Sequence, residues 1–194
     1  MAEEEPAFSP DQIRNFIIAA HGNLPRVREM LARHPGLLNV RHYWSNDDSE
    51  SAIQAAAQVG SAPVVEYLLD RGAPLEICTA AMLGRRETVE LMLAEDPSLI
   101  EARGAHGIPL MPHAAMGSNL DLAKFLFERG ATAGMSHALG NANMHGDTRM
   151  ARWILGTGQA DLAWKDYEGK SLMAIARGTG KRGMVELLQK HGVK

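Results

Sequence analysis

Eight histidines and a single cysteine have the widest chemical repertoire in this 194-residue chain, and their spacing decides what they can do. A tetrahedral zinc site announces itself as His-Glu-x-x-His on one helix face or as paired Cys-x-x-Cys, and neither pattern occurs. His113, His137 and His145 are not four residues apart, so no helix turn aligns them as ligands. No metal and no cofactor are expected. Cys78 lies in an alanine-rich stretch, where a thiol packs rather than attacks. The chain has no Gly-x-Ser-x-Gly elbow and no phosphate-binding Gly-x-x-x-x-Gly-Lys-Ser/Thr loop. Without a nucleophile, a base and oxyanion donors, no reaction can be named, and binding is the expected role.

The residues best suited to binding are aromatic. Tyr43 and Trp44 stand in the polar run R-H-Y-W-S-N-D-D-S-E, from Arg41 to Glu50. Large aromatics are costly to leave wet on a loop and are enriched among interface anchors, so they point to a partner unless the loop folds back on them.

What must position these residues is a repeated helical unit. Six segments share one pattern: V-R-E-M-L-A-R-H-P from Val27, V-E-Y-L-L-D-R-G from Val65, V-E-L-M-L-A-E-D-P from Val89, A-K-F-L-F-E-R-G from Ala123, A-R-W-I-L-G-T-G from Ala151 and V-E-L-L-Q-K-H-G from Val185. Apolar residues at i, i+3 and i+4, as in Val65, Leu68 and Leu69, form one helical face. The last copy puts Gln189 at the third place, which suits a terminal repeat whose flank has no neighbour. Before each helix sits a small-residue segment ending in Gly or Ser, such as A-A-A-Q-V-G or H-A-A-M-G-S, which lets two helices pack closely.

The two elements together resemble the ankyrin repeat, with its T-P-L-H-x-A-A-x-x-G helix followed by a second apolar helix. The G-K-S-L-M-A-I-A-R-G-T-G-K-R-G-M-V-E-L-L stretch from Gly169 follows the family register throughout. The resemblance implies an all-α solenoid of about six stacked helix-turn-helix repeats, near residues 11–38, 49–73, 75–98, 107–131, 135–159 and 169–192. The repeat starts are 38, 24, 34, 28 and 34 residues apart, against a family period of about 33. The long step makes an enlarged first finger loop near 40–50. Further fingers are expected near 100–108 and 162–170, a reduced one at 130–137, and none at Gly72 to Leu75. Ser9-Pro10-Asp11-Gln12 reads as a capping box opening the repeat domain, 9–194, behind an acidic flexible tail, 1–8.

The resemblance also implies a protein–protein interaction scaffold that binds through a concave groove and its fingers. In its register the residues before each helix-ending Gly face the groove. That places Met82, Met116 and Met144 there as an adaptable ladder, with His145 beside the last and His106 on the second finger. Eleven methionines could equally be filling irregular gaps in the core. A second set of departures replaces apolar or alanine positions by His113, Asn141, Asn143 and Arg177. Buried polar groups must be satisfied, so these residues form either a polar network across repeats four to six or a polar pocket, which would make the protein a small-molecule binder or an unusual enzyme, the alternative function.

A net charge of -3, with scattered Lys and Arg, argues against nucleic acid as a partner. No apolar run approaches the length of a membrane span, and no signal peptide opens the chain, so a cytoplasmic protein is expected.

Overall fold

The computed structural model describes residues 8–193. Residues 1–7, most of the expected acidic tail, lie outside it. Phe8, the last residue of that expected tail, packs edge-on against His34 with ring centroids 5.9 Å apart.

Among the described residues the chain forms twelve α-helices in six consecutive pairs: α1 (Pro10–Ala20) with α2 (Leu24–Arg33), α3 (Ala52–Gln58) with α4 (Ala62–Leu69), α5 (Ile77–Met82) with α6 (Arg86–Glu95), α7 (Leu110–Met116) with α8 (Leu120–Glu128), α9 (Met135–His145) with α10 (Thr148–Thr157), and α11 (Leu172–Gly178) with α12 (Arg182–Lys190). The first helix of every pair packs against the first helix of the next, from α1 through α11. The alanines that permit this, including Ala55, Ala56, Ala80, Ala81, Ala114, Ala115, Ala138 and Ala142, are fully buried. A chain without bulky residues on that row can bring neighbouring helices close enough for continuous van der Waals contact. No described helix is long and apolar enough to cross a membrane.

The expected helix start is present in full. Ser9 Oγ accepts from the Gln12 backbone N–H, and Gln12 Oε1 accepts from the Ser9 N–H, with Pro10 in the first turn. Asn23, Asn119 and Asp147 perform the simpler form of this capping for α2, α8 and α10.

A close approach between pairs lies at the end of α7. A Cβ added to Gly117 would lie 2.0 Å from the Met82 carbonyl oxygen, and backbone cannot yield as a side-chain tip can. Gly117→Ala is therefore expected to lower stability by about 2 kcal/mol, the usual cost of overpacking. A urea midpoint unchanged from the parent would show that α7 can shift away from α5 at no cost.

The all-α expectation needs one correction. The first finger is a β-hairpin, β1 (Arg41–Ser45) and β2 (Asp48–Ser51), turning at Asn46 and Asp47. Its length gives two strands enough ladder positions to pair, and Arg41 ties them further through its guanidinium to Ser49 O and Oγ. The shorter second and last fingers close with only single bridges, Arg103 to Pro109 and Lys165 to Ser171. Ala73 runs to α5 without a finger, and the link between α8 and α9 is a short turn.

Candidate interaction site

The first finger owes its shape to a bulge at Trp44. Tyr43 pairs with Ser49 and Ser45 with Asp48, so Trp44 has no opposite residue and the alternation of faces is broken there. Tyr43 is left 63% exposed and Trp44, the next residue, 38% exposed. β1 lies against α1, and β2 against the 3-10 turn of the second finger, Ala105–Gly107.

A polar assembly under the hairpin fixes this surface. Glu50 on β2 is fully buried, with 0% exposure. Its Oε1 accepts from Trp44 Nε1 at 2.8 Å, and its Oε2 accepts from Gln58 Nε2 at 3.0 Å. The second Gln58 amide hydrogen goes to His21 Nε2 at 2.8 Å, which makes that nitrogen the acceptor. His21 Nδ1 therefore carries the ring hydrogen and donates to Ile17 O at 3.0 Å. One chain of hydrogen bonds thus runs from the backbone of α1, through the end of α3, to the indole of the finger.

His106 joins the two fingers. Its Nδ1 donates to Asp48 Oδ2 at 2.8 Å, while its Nε2 lies 3.6 Å from Glu50 Oε2. Its backbone sits at φ 54°, the left-handed region a non-glycine residue occupies at a cost of about 1–2 kcal/mol. The contact with Asp48 is made from that conformation. The Trp44 ring is bounded by His42, edge-on at 4.4 Å, by His106 at 6.4 Å, and by the Arg14 guanidinium of α1, 6.0 Å from its centre.

Trp44 and His106 therefore come together, with Tyr43 beside Trp44 in the chain. Met116 and His145 are joined separately, with His145 Nε2 3.0 Å from Met116 Sδ. The methionine ladder does not form. Met82 is 3% exposed, its side chain packed in the core shared by α1 to α4. Met116 is half-buried against the same core, and Met144 alone is open, at 45%.

The expected polar cluster is also differently built. His113, Asn141 and Asn143 are buried, but none bonds to another and Arg177 is exposed. Each of the three meets a backbone carbonyl instead: His113 Nδ1 donates to Pro109 O at 2.9 Å, Asn141 Nδ2 to Pro112 O at 3.0 Å, and Asn143 Nδ2 to Leu172 O at 2.6 Å. Asn141 thereby ties α9 to α7 and Asn143 ties α9 to α11. Asn141 and Asn143 thus act as separate rungs between helices, His113 bonds within the start of its own helix, and Asn143 Oδ1 is buried without a hydrogen-bond partner among the described residues. Burial, reinforced by the neighbouring His137 charge, pushes the His113 imidazole down to about 4, although its bond to Pro109 opposes the shift. Burial lowers His137 as well, and its ring stacks on Trp164.

Cys78 is buried, and desolvation, with Glu76 nearby, raises its thiol to about 12, far from a reactive thiolate. Among the described residues no group of three or more His, Cys, Asp or Glu could hold a metal ion.

The residues that sequence reasoning did not single out are Glu50, His21, Asp48 and Arg14, together with the bracing role of Gln58. Glu50 was visible only as the last letter of an acidic loop. Its partners lie on α1, α3 and two fingers, and no periodicity connects them.

Residues 48–80 match the family model of the ankyrin repeat, a span that runs from β2 through α3 and α4 into α5. No curated protein matches the chain. A small-residue first helix and an apolar second helix recur along the chain around that match, and the chain carries the ankyrin repeat.

Proposed function

We propose that this protein is a solenoid of six stacked ankyrin repeats, with the repeat boundaries read above, that binds a protein partner through its first finger and the adjoining groove. Ankyrin repeats generally serve as protein–protein interaction modules. The observation that carries the reading here is the exposed pair Tyr43 and Trp44 on a hairpin braced from below by Glu50. Aromatic anchors held rigid before binding lose little conformational freedom on contact, and that is where interface energy concentrates. Met144 and the Met116–His145 contact extend the proposed surface along the later repeats. A cytoplasmic setting accords with a chain whose lone cysteine can form no internal disulfide.

The test is a photo-crosslinking phenylalanine analogue at position 43, compared with one at exposed Leu91, in cells of the native host. Discrete adducts from position 43 but not from 91 are expected. A Tyr43→Ala/Trp44→Ala double variant should weaken the captured partner by at least about tenfold while keeping its thermal midpoint within a few degrees. A midpoint lowered by many degrees with unchanged affinity would make the aromatics structural and end this reading.

A further inference from the structure

A second surface lies on the second helices, away from the hairpin. The ends of α2 and α4 and the turn after α2 enclose a cleft of about 620 Å³ lined by Leu31, Pro35, Leu38, Tyr67, Asp70 and Arg71. That size falls in the range of ligand-binding clefts. Its lining is mixed, with Leu31, Pro35, Leu38 and Tyr67 beside Asp70 and Arg71, and two guanidiniums lie against the Tyr67 ring, Arg71 at 4.5 Å and Arg28, just outside the lining, at 5.1 Å from the ring centre.

These two arginines differ from their neighbours. Arg26, Arg33, Arg85 and Arg86 are each paired with a glutamate. Arg28 and Arg71 pair with no carboxylate among the described residues, and both are exposed. A guanidinium held face-on by an aromatic ring keeps its N–H edge free, and its planar fork matches a carboxylate. The corresponding place further along the chain has the same residue pattern, Phe125 with Arg129, but there Phe125 is buried, and Arg86, the second guanidinium over it, is already paired with Glu90. At Tyr67 the site is open on both counts.

We propose that this cleft binds an acidic peptide segment of a partner protein, with an aliphatic side chain on Leu31, Pro35 and Leu38, one carboxylate on Arg71 and another on Arg28 beside the cleft. Asp70, the acidic residue of the lining, is an acceptor for a peptide N–H, which favours a peptide over a bare polyanion. The site is separate from the finger surface, so either can fail without the other.

The probe is a fluorescein-labelled peptide of alternating leucine and glutamate, titrated by fluorescence anisotropy against the full chain, with a leucine–lysine peptide as its counterpart. The glutamate peptide is expected to bind, and Arg71→Ala or Arg28→Ala each to weaken it about tenfold, the loss of a charge-assisted pair. Arg152→Ala, which removes the same charge from an exposed position on α10, should leave affinity unchanged. Thermal midpoints of all three variants should match the parent. No binding of the glutamate peptide, equal binding of the lysine peptide, or equal weakening by Arg152→Ala would overturn the assignment, the last by reducing it to general charge attraction.

Discussion

Replacing Glu50 by alanine is expected to lower the unfolding free energy by about 3 kcal/mol, because it strands hydrogen-bond donors that the fold has already taken from water. The Trp44 indole N–H and one Gln58 amide hydrogen both lose their acceptor. Glu50→Gln tests the same assembly more finely. If its amide oxygen faces Trp44, its nitrogen faces the Gln58 nitrogen, and two donors oppose each other. Gln58 can turn over to present its oxygen, but it then offers no hydrogen to His21 Nε2. His21 must move its hydrogen to that nitrogen and give up its bond to Ile17 O. The conservative variant should therefore cost about 1–2 kcal/mol, and its signature is a change of His21 tautomer, read from imidazole nitrogen shifts. Chemical denaturation that ranks the two variants equally, with the His21 tautomer unmoved, would mean that Glu50 is a spacer and not the keystone of the finger.

That assembly also marks how far the sequence could be read. The helix pairs were legible because each repeat must bury the same face against its neighbours, so Val65, Leu68 and Leu69 have counterparts all along the chain. Ser9 and Gln12 were legible because a capping box is local, and finger positions followed from the repeat spacing. Glu50 and His21 were not, since Gln58 joins residues 8 and 37 positions away through side chains that no repeat copies. Met82 was misjudged for a related reason. Register says which residues occupy equivalent positions, but the depth of each is set by its neighbours, here the core of α1 to α4 into which the Met82 side chain packs. Likewise His113, Asn141 and Asn143 do stand at buried polar positions, yet the partner each reaches is a main-chain carbonyl, which every sequence supplies.

His113 makes one of those bonds the basis of an acid sensitivity. In the fold its imidazole is held uncharged, protonating only near pH 4, whereas in the unfolded chain it takes up a proton around the ordinary histidine value of 6.5. Between those limits the unfolded state binds more protons, so stability falls as pH falls: the contribution is fully present above pH 6.5 and is gone once pH drops through about 4. The gap corresponds to about 3 kcal/mol, and desolvation is not relieved by solvent at a side chain this deeply buried. His137, lowered by burial too, acts in the same direction and adds to the loss. Urea titrations of the parent and of His113→Gln at pH 7, 6, 5 and 4 separate this group from the carboxylates, which titrate in both proteins. The variant is expected to start less stable at pH 7, since glutamine replaces a fitted ring, and to lose less stability on acidification, so that the two curves converge toward pH 4. Curves that remain parallel across the whole range would mean that the His113 imidazole accepts its proton in the folded protein as readily as in the unfolded one.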